Sequence, residues 1–344
     1  MTATPTGTER YAARHLELPD FYRTAQGLSV SSLGIGSYLG RMSADVDQGY
    51  EEAMVLALRS GINFIDTSLN YRHQRSELAI GRALAITEMA RGEIVICTKA
   101  GYLVPDAVPP GLAAEDVVGG MHCLAPAFLR DQLERSRANL GIETIDVFYL
   151  HNPETQLQYV SDDVFYGRIC AAFETAEAMV SENTISYYGI ATWPGFRVAA
   201  GEAGLMSLPR MAHIAREVAG DRHRFRFIQL PLNLAMTEGF TVNNQMLGMK
   251  QVSVLTAARE LGITVIASAT LLQARLSREL PEQLRAAMPT ITSDAQRAIQ
   301  FTRSTPGVSV ALVGMSSPEH VRENMGVARV QPMAADVHTR MFAG

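Results

Sequence analysis

The chain has 344 residues, 47% of them hydrophobic and 19% charged, with a formal net charge of −5. That balance offers no bulk attraction to a nucleic acid or an anionic membrane. No run of about 18 apolar residues is present to span a bilayer. Cys97, Cys123 and Cys170 are far apart and show no metal-ligand spacing, so we expect a reduced, cytoplasmic protein without a metal.

Residues 1–14 are polar, lack an apolar signal segment and read as a flexible arm. Residues 15–344 show no linker-like break and read as a single domain. Around 15–31 two short extended runs flank a turn, predicting a hairpin. Strand-like and helix-like stretches then alternate. The strands are SSLGIG (31–36), INFID (62–66), EIVICTK (93–99), IDVFYLH (145–151), ISYYGIA (185–191), RFIQLPL (226–232), ITVIASA (263–269) and VSVALVG (308–314). Amphipathic helical patterns lie at 49–61, 76–86, 125–141, 162–181, 252–262, 293–304 and 316–325. The first and third close on a glycine, and the last opens on Ser316 or Ser317 with a proline in its first turn. Runs this apolar predict parallel strands covered on both faces. Eight such units predict an α/β fold, a (β/α)8 TIM barrel with an N-terminal β-hairpin, in preference to a doubly wound sheet. Long βα loops are expected at 100–124, 232–251 and 270–292. LGIGSYLG is not a dinucleotide-binding glycine fingerprint.

Four polar residues stand at or just beyond these strand ends, where the chemistry of parallel sheets collects: Asp66, Tyr71, Lys99 and His151. A free phenol has a pKa near 10. An adjacent ammonium lowers it, a carboxylate behind the lysine keeps that ammonium charged, and an imidazole can bond a substrate oxygen. Together they make a proton-transfer set suited to carbonyl reduction or the reverse alcohol oxidation. Taken singly, Asp66 reads equally as a helix cap, and Tyr71 and His151 as satisfied core side chains. Their joint spacing favours catalysis.

The segment INFIDTSLNYRHQRSELAIGRAL resembles the aldo-keto reductase motif, with an aspartate ending strand two, a tyrosine five residues later, and Ser76, Glu77 and Gly81 in place. ICTKAG resembles that family's lysine strand, and LERSRANLGIETIDVFYLHNPE its histidine strand. The resemblance covers roughly residues 25–330. It implies Tyr71 as general acid, Asp66 and Lys99 as its tuning pair, and His151 as the carbonyl-orienting group. It also implies a nicotinamide cofactor held without a Rossmann fold, with NADP(H) favoured and NAD(H) admitted. Gly36, Ser37, Thr192, Gln229, Ser268, Gly314, Ser316, Ser317, His320 and Asn324 fall at cofactor-binding positions, with Glu323 beside Asn324 near adenine. Tyr38, Tyr102, Asn152 and Trp193 are candidates for the substrate pocket.

Several positions depart from the family pattern. Ala191-Thr192-Trp193 replaces a serine-asparagine pair, Ser268 replaces a stacking aromatic, and Gly314 and His320 replace a lysine and an arginine at the 2′-phosphate, with Arg275 and Arg322 nearby in sequence. The expected function is an NAD(P)(H)-dependent oxidoreductase interconverting an aldehyde or ketone, sugar-like substrates included, with its alcohol. The alternatives are a Schiff-base lyase or aldolase using Lys99, and a non-catalytic nicotinamide-sensing subunit.

Overall fold

The computed structural model describes residues 1–340. Its eight barrel strands are β1 (Leu33–Gly36), β2 (Phe64–Asp66), β3 (Val95–Ala100), β4 (Ile145–His151), β5 (Ile185–Ala191), β6 (Phe225–Pro231), β7 (Thr264–Ser268) and β8 (Val308–Gly314). They pair in parallel in chain order, and β8 closes on β1. Closure excludes the doubly wound sheet and makes the fold a (β/α)8 barrel. Each predicted strand is present, its ends shifted by no more than two residues.

All eight strands are followed by a helix packed outside the barrel, at Ala44–Arg59, Arg75–Thr87, Pro126–Leu140, Asp162–Ser181, Leu208–Ala219, Val254–Glu260, Asp294–Ser304 and Pro318–Asn324. The helix Leu208–Ala219 was not predicted. Its signals were local all the same: Ser207 caps it by accepting from the Arg210 N–H at 3.2 Å, Pro209 sits in its first turn, and Leu208, Met211, Ile214 and Ala215 are buried. Gly81 lies where the helices Arg75–Thr87 and Pro126–Leu140 meet so closely that a Cβ would collide with the Asn139 carbonyl.

Side chains alternate in and out along each strand. Ile65, Ile96, Phe148 and Leu150 pack outward under the helices. Phe64, Val95, Cys97, Val147, Tyr149, Phe227, Ile266, Val310 and Leu312 fill the interior. The same two-residue step carries Asp66, Lys99, His151, Gln229, Ser268 and Gly314 to the top of the inward set. That is why polar residues ending apolar strands converge.

The hairpin Tyr22–Ala25 and Leu28–Ser31 is present and plugs the opposite end of the barrel with Ala25, Leu28 and Val30. The preceding arm is not loose. Pro5–Ala12 is a helix capped by Thr4, and Tyr11 is buried with its hydroxyl donating to the Ile62 carbonyl at 3.0 Å. Glu93 takes ion pairs from both Arg10 and Arg14, and Asp146 accepts from the Ala3 N–H at 2.7 Å. These anchors lie dozens of residues away, so a polar composition concealed them. The predicted long loops also carry structure: the β6–β7 connection contains a β-hairpin, Asn243–Leu247 with Lys250–Ser253.

Candidate functional site

Lys99 and Asp66 come together beneath the upper mouth of the barrel. The Lys99 ammonium donates to Asp66 Oδ2 at 2.6 Å and to the Thr67 carbonyl at 2.7 Å, and both side chains are buried. The other oxygen of Asp66 accepts from the Gln229 amide at 2.8 Å. Burial works against the charge on Lys99, but Asp66 together with Tyr71 and Cys97 outweighs it, and the ammonium is held above its ordinary range. Lysine is seldom buried without such a partner.

Tyr71 rides on the loop after β2, its ring centroid 4.9 Å from Lys99 Nζ. Burial pushes the phenol up; Lys99 pulls it down without overcoming that burial, and the proton stays on oxygen at neutral pH. The expectation of a net lowering by Lys99 is therefore corrected: desolvation is the larger effect. Tyr71 is positioned from the side by an unusual backbone. Arg72, His73 and Gln74 all take positive φ, at 51°, 51° and 68°, a region glycine enters without strain and other residues rarely adopt. The buried Arg72 secures this turn, donating to Asp47 at 2.5 Å and to the Arg41 carbonyl at 2.9 Å, while Arg75 pairs with the other Asp47 oxygen.

His151 ends β4 with its ring 5.8 Å from that of Tyr71 and 5.2 Å from that of Tyr102. Burial, aided by Lys99 and His122, holds the imidazole well below its ordinary range, so it is neutral. Behind it, His122 Nε2 lies 2.8 Å from the His151 carbonyl, and the Gln156 amide lies 2.9 Å from His122 Nδ1. Burial lowers His122 from 6.5 to about 4. Since the folded value is the lower one, the stability this residue contributes is complete above its ordinary value and is lost as pH falls toward 4, on the order of 3 kcal/mol. The urea midpoint is therefore expected to drop between about pH 7 and pH 4.5, and less steeply in His122→Gln. Equal slopes in the two proteins would contradict this.

A cavity of about 670 Å³ opens above these groups, within the size range of ligand pockets. Asp66, Tyr71 and His151 border it, and Lys99 lies beneath. Of the residues at predicted cofactor positions, Gly36, Ser37, Thr192, Gln229, Ser268, Gly314, Ser316, His320 and Asn324 border it. Ser317 does not: it caps the helix Pro318–Asn324, its hydroxyl accepting from the His320 N–H at 3.5 Å. Three of these side chains are already engaged: Ser37, whose hydroxyl donates to the Thr67 hydroxyl at 2.9 Å, Gln229, which donates to Asp66, and Thr192, whose hydroxyl accepts from the Gly195 N–H at 2.9 Å. Tyr38, Tyr102, Asn152 and Trp193 all border the cavity, Asn152 donating to the Tyr102 hydroxyl at 3.0 Å. Sequence reasoning did not single out Asn70, Leu271, Gln273 or Ala295, which line it as well. Asn70, Leu271 and Gln273 could have been suggested only by their place in the βα loops, and Ala295 by the start of the helix Asp294–Ser304. Among the described residues no lysine or arginine borders the cavity: Arg275 is exposed, and Arg322 pairs with Glu319 at 3.1 Å.

The Aldo/keto reductase family model matches residues 32–200, the stretch holding β1 to β5 and all four of Asp66, Tyr71, Lys99 and His151. The chain is 24% identical over 316 residues to a Schizosaccharomyces pombe protein described as a putative voltage-gated potassium channel subunit beta, covering 87% of this chain and 85% of that one. Its fold is similar to that of an aldo/keto reductase from Klebsiella pneumoniae solved with NADP and acetate, with TM-score 0.67 and 18% identity over 94% of this chain and 95% of that one. It is similar also to the glycerol dehydrogenase of Gluconobacter oxydans, with TM-score 0.64 and 22% identity over 94% of each chain.

Proposed function

Because the chain belongs to the aldo-keto reductase superfamily, we propose that it is an NAD(P)(H)-dependent oxidoreductase interconverting a small carbonyl compound and its alcohol, with Tyr71 as the general acid and base. The observation that carries this reading is the buried Lys99 ammonium, 2.6 Å from Asp66 and set against the ring of Tyr71. A lysine held protonated in this way is a poor Schiff-base nucleophile, which disfavours the lyase.

The cavity fits a dinucleotide in size and in its donor set. Gly36, Ser37, Thr192, Gln229 and Ser268 would border its nicotinamide half, and Gly314, Ser316, His320 and Asn324 its adenosine half, with Ser317 holding His320 in place. The bound cofactor supplies or takes up the hydride. Tyr71 donates its proton to the substrate oxygen during reduction and recovers it during oxidation. Lys99 stabilises the phenolate formed in between, and Asp66 keeps Lys99 charged. His151 holds the substrate oxygen against Tyr71, and Tyr38, Tyr102 and Trp193 line the space around it.

NADP(H) is the favoured cofactor, as bound in the Klebsiella pneumoniae structure, and NAD(H) is admitted as well. With no lysine or arginine among the described residues bordering the cavity, His320→Arg is expected to tighten NADPH binding about tenfold and leave NADH nearly unchanged, the worth of one charge-assisted hydrogen bond. Comparing the two dissociation constants checks it, and an equal gain for both cofactors would place His320 away from the 2′-phosphate.

Trp193, the sole tryptophan, borders the cavity and reports on binding. Titration with NADPH and NADH is expected to quench its fluorescence saturably, and carbonyl substrates should then turn over. No quenching by either would overturn the cofactor assignment. Similarity to a putative channel subunit favours a second reading, a nicotinamide sensor without turnover. Quenching with no turnover across a broad set of carbonyls and alcohols would select it.

A further inference from the structure

We propose that Glu154 is a positioning residue: its buried carboxylate clamps the turn after β5 and holds Trp193 at the cavity wall, so that it sets how tightly substrate is taken rather than how fast it reacts. The effect on substrate rests on the oxidoreductase reading; the effect on Trp193 does not.

Glu154 lies just beyond His151, in the first turn of the short 3₁₀ helix Pro153–Gln158. Its side chain is buried and does not border the cavity. Oε1 accepts from the Trp193 N–H at 2.8 Å, which ties the segment after β4 to the turn after β5. Oε2 is equally buried and has no hydrogen-bond partner. Among the described residues no lysine, arginine or histidine pairs with this carboxylate. Burial pushes the carboxyl above its ordinary range, and the bonds from Thr192 and the Trp193 N–H pull it down without overcoming that burial. A buried carboxylate with no cation beside it is costly. A leucine of similar size would avoid that cost, but it would leave the Trp193 N–H without its acceptor.

The turn is anchored on both sides of Trp193. The Thr192 N–H donates to the Gln229 carbonyl at 2.9 Å, fastening its start to β6. The Gly195 carbonyl accepts from the Met206 N–H at 2.7 Å. Gly195 packs so closely that a Cβ there would lie 2.4 Å from Met206 Cε, 2.7 Å from Thr192 Oγ1 and 3.3 Å from Glu154 Cβ. Between these anchors the Trp193 N–H is held by Glu154, and its carbonyl accepts from Arg197 at a longer 3.4 Å.

Nothing comparable holds the indole. It is 42% exposed, and among the described residues no ring stacks on it and no polar group bonds it. Its direction therefore follows from the backbone that carries it. Releasing the N–H frees that backbone to rotate and moves one wall of the cavity. A wall touches the substrate before and during reaction alike, so its loss raises KM and leaves kcat nearly unchanged.

The test compares Glu154→Ala, Glu154→Asp and Glu154→Gln. The aspartate keeps the charge and loses the reach. The glutamine keeps an acceptor oxygen at the same reach and exchanges an unpartnered oxygen for an unpartnered amide nitrogen. Trp193 is the sole tryptophan, so acrylamide quenching of the cofactor-free protein reads its exposure directly. The alanine and aspartate variants are expected to raise the quenching constant about twofold, the ratio of a free indole to one 42% exposed, and the glutamine variant to keep the native value. With saturating NADPH and benzaldehyde as probe, alanine and aspartate are expected to raise KM about tenfold, the scale of one hydrogen bond, with kcat nearly unchanged and KM restored by glutamine. A merely structural weakening would lower the urea midpoint and move neither readout in the folded protein. Native quenching and KM in Glu154→Asp would overturn the proposal, as would a glutamine that fails to restore them or a fall in kcat at constant KM. If Glu154→Ala does not fold, the aspartate and glutamine variants decide. Absence of turnover in the native protein would remove the oxidoreductase reading, and the quenching comparison would still decide what holds Trp193.

Discussion

Tyr71→Phe is expected to lower kcat about 10³-fold while NADPH binding, followed through Trp193, stays within a few-fold of native. The substitution removes the phenolic oxygen and keeps the ring, which packs against Tyr38 at 5.0 Å and His151 at 5.8 Å between centroids. The cavity therefore keeps its shape, and the loss isolates proton transfer. Burial holds the phenol above its ordinary range, so in the native protein the reduction direction is expected to keep its proton donor throughout neutral pH. Stopped-flow measurement of the chemical step separates this from slow release. Residual turnover above about a tenth of native would mean that another group delivers the proton, and the assignment of Tyr71 would fall.

The largest effect on stability is expected away from the reacting atoms. Asp47→Ala should cost about 3–5 kcal/mol, the penalty for leaving a buried charge without its partner. Arg72 has a side chain only 2% exposed, and Asp47 neutralises it together with Arg75. The Tyr50 ring lies 5.3 Å from the guanidinium but cannot replace a carboxylate. The same pair holds three successive non-glycine residues at positive φ immediately after Tyr71, each costing on the order of 1 kcal/mol or more. Releasing Arg72 lets that turn relax and takes Tyr71 out of place, so kcat at a temperature where the variant is folded should fall as well. Urea unfolding reads the stability. A loss below about 1 kcal/mol would show that Arg72 finds water or another carbonyl once Asp47 is gone.

Fold and site were legible in the sequence to different depths. An apolar run of about five residues ending on a charge is a local signal, because a strand buried on both faces has no room for polar side chains until it leaves the barrel. The INFID and IDVFYLH runs therefore marked their strands and, through their last residues, Asp66 and His151. The helix Leu208–Ala219 is equally local in its Ser207 cap, while the Pro5–Ala12 helix cannot be read locally at all. Tyr11 and Glu93 hold it through partners that neighbour it only after folding.

By itself, the sequence determined the eight strand–helix units, the alternation that turns Asp66, Lys99 and His151 inward, and the residue types needed for proton transfer, since each depends on spacing along the chain. Tertiary structure alone decided which polar groups meet. Gln229 and Asp66 are 163 residues apart. Their contact exists because closing the barrel brings the ends of distant strands to one mouth. Burial there outweighs the pull of Lys99 on the Tyr71 phenol, a balance that depends on how much water the fold excludes and that no pattern of residues along a chain records.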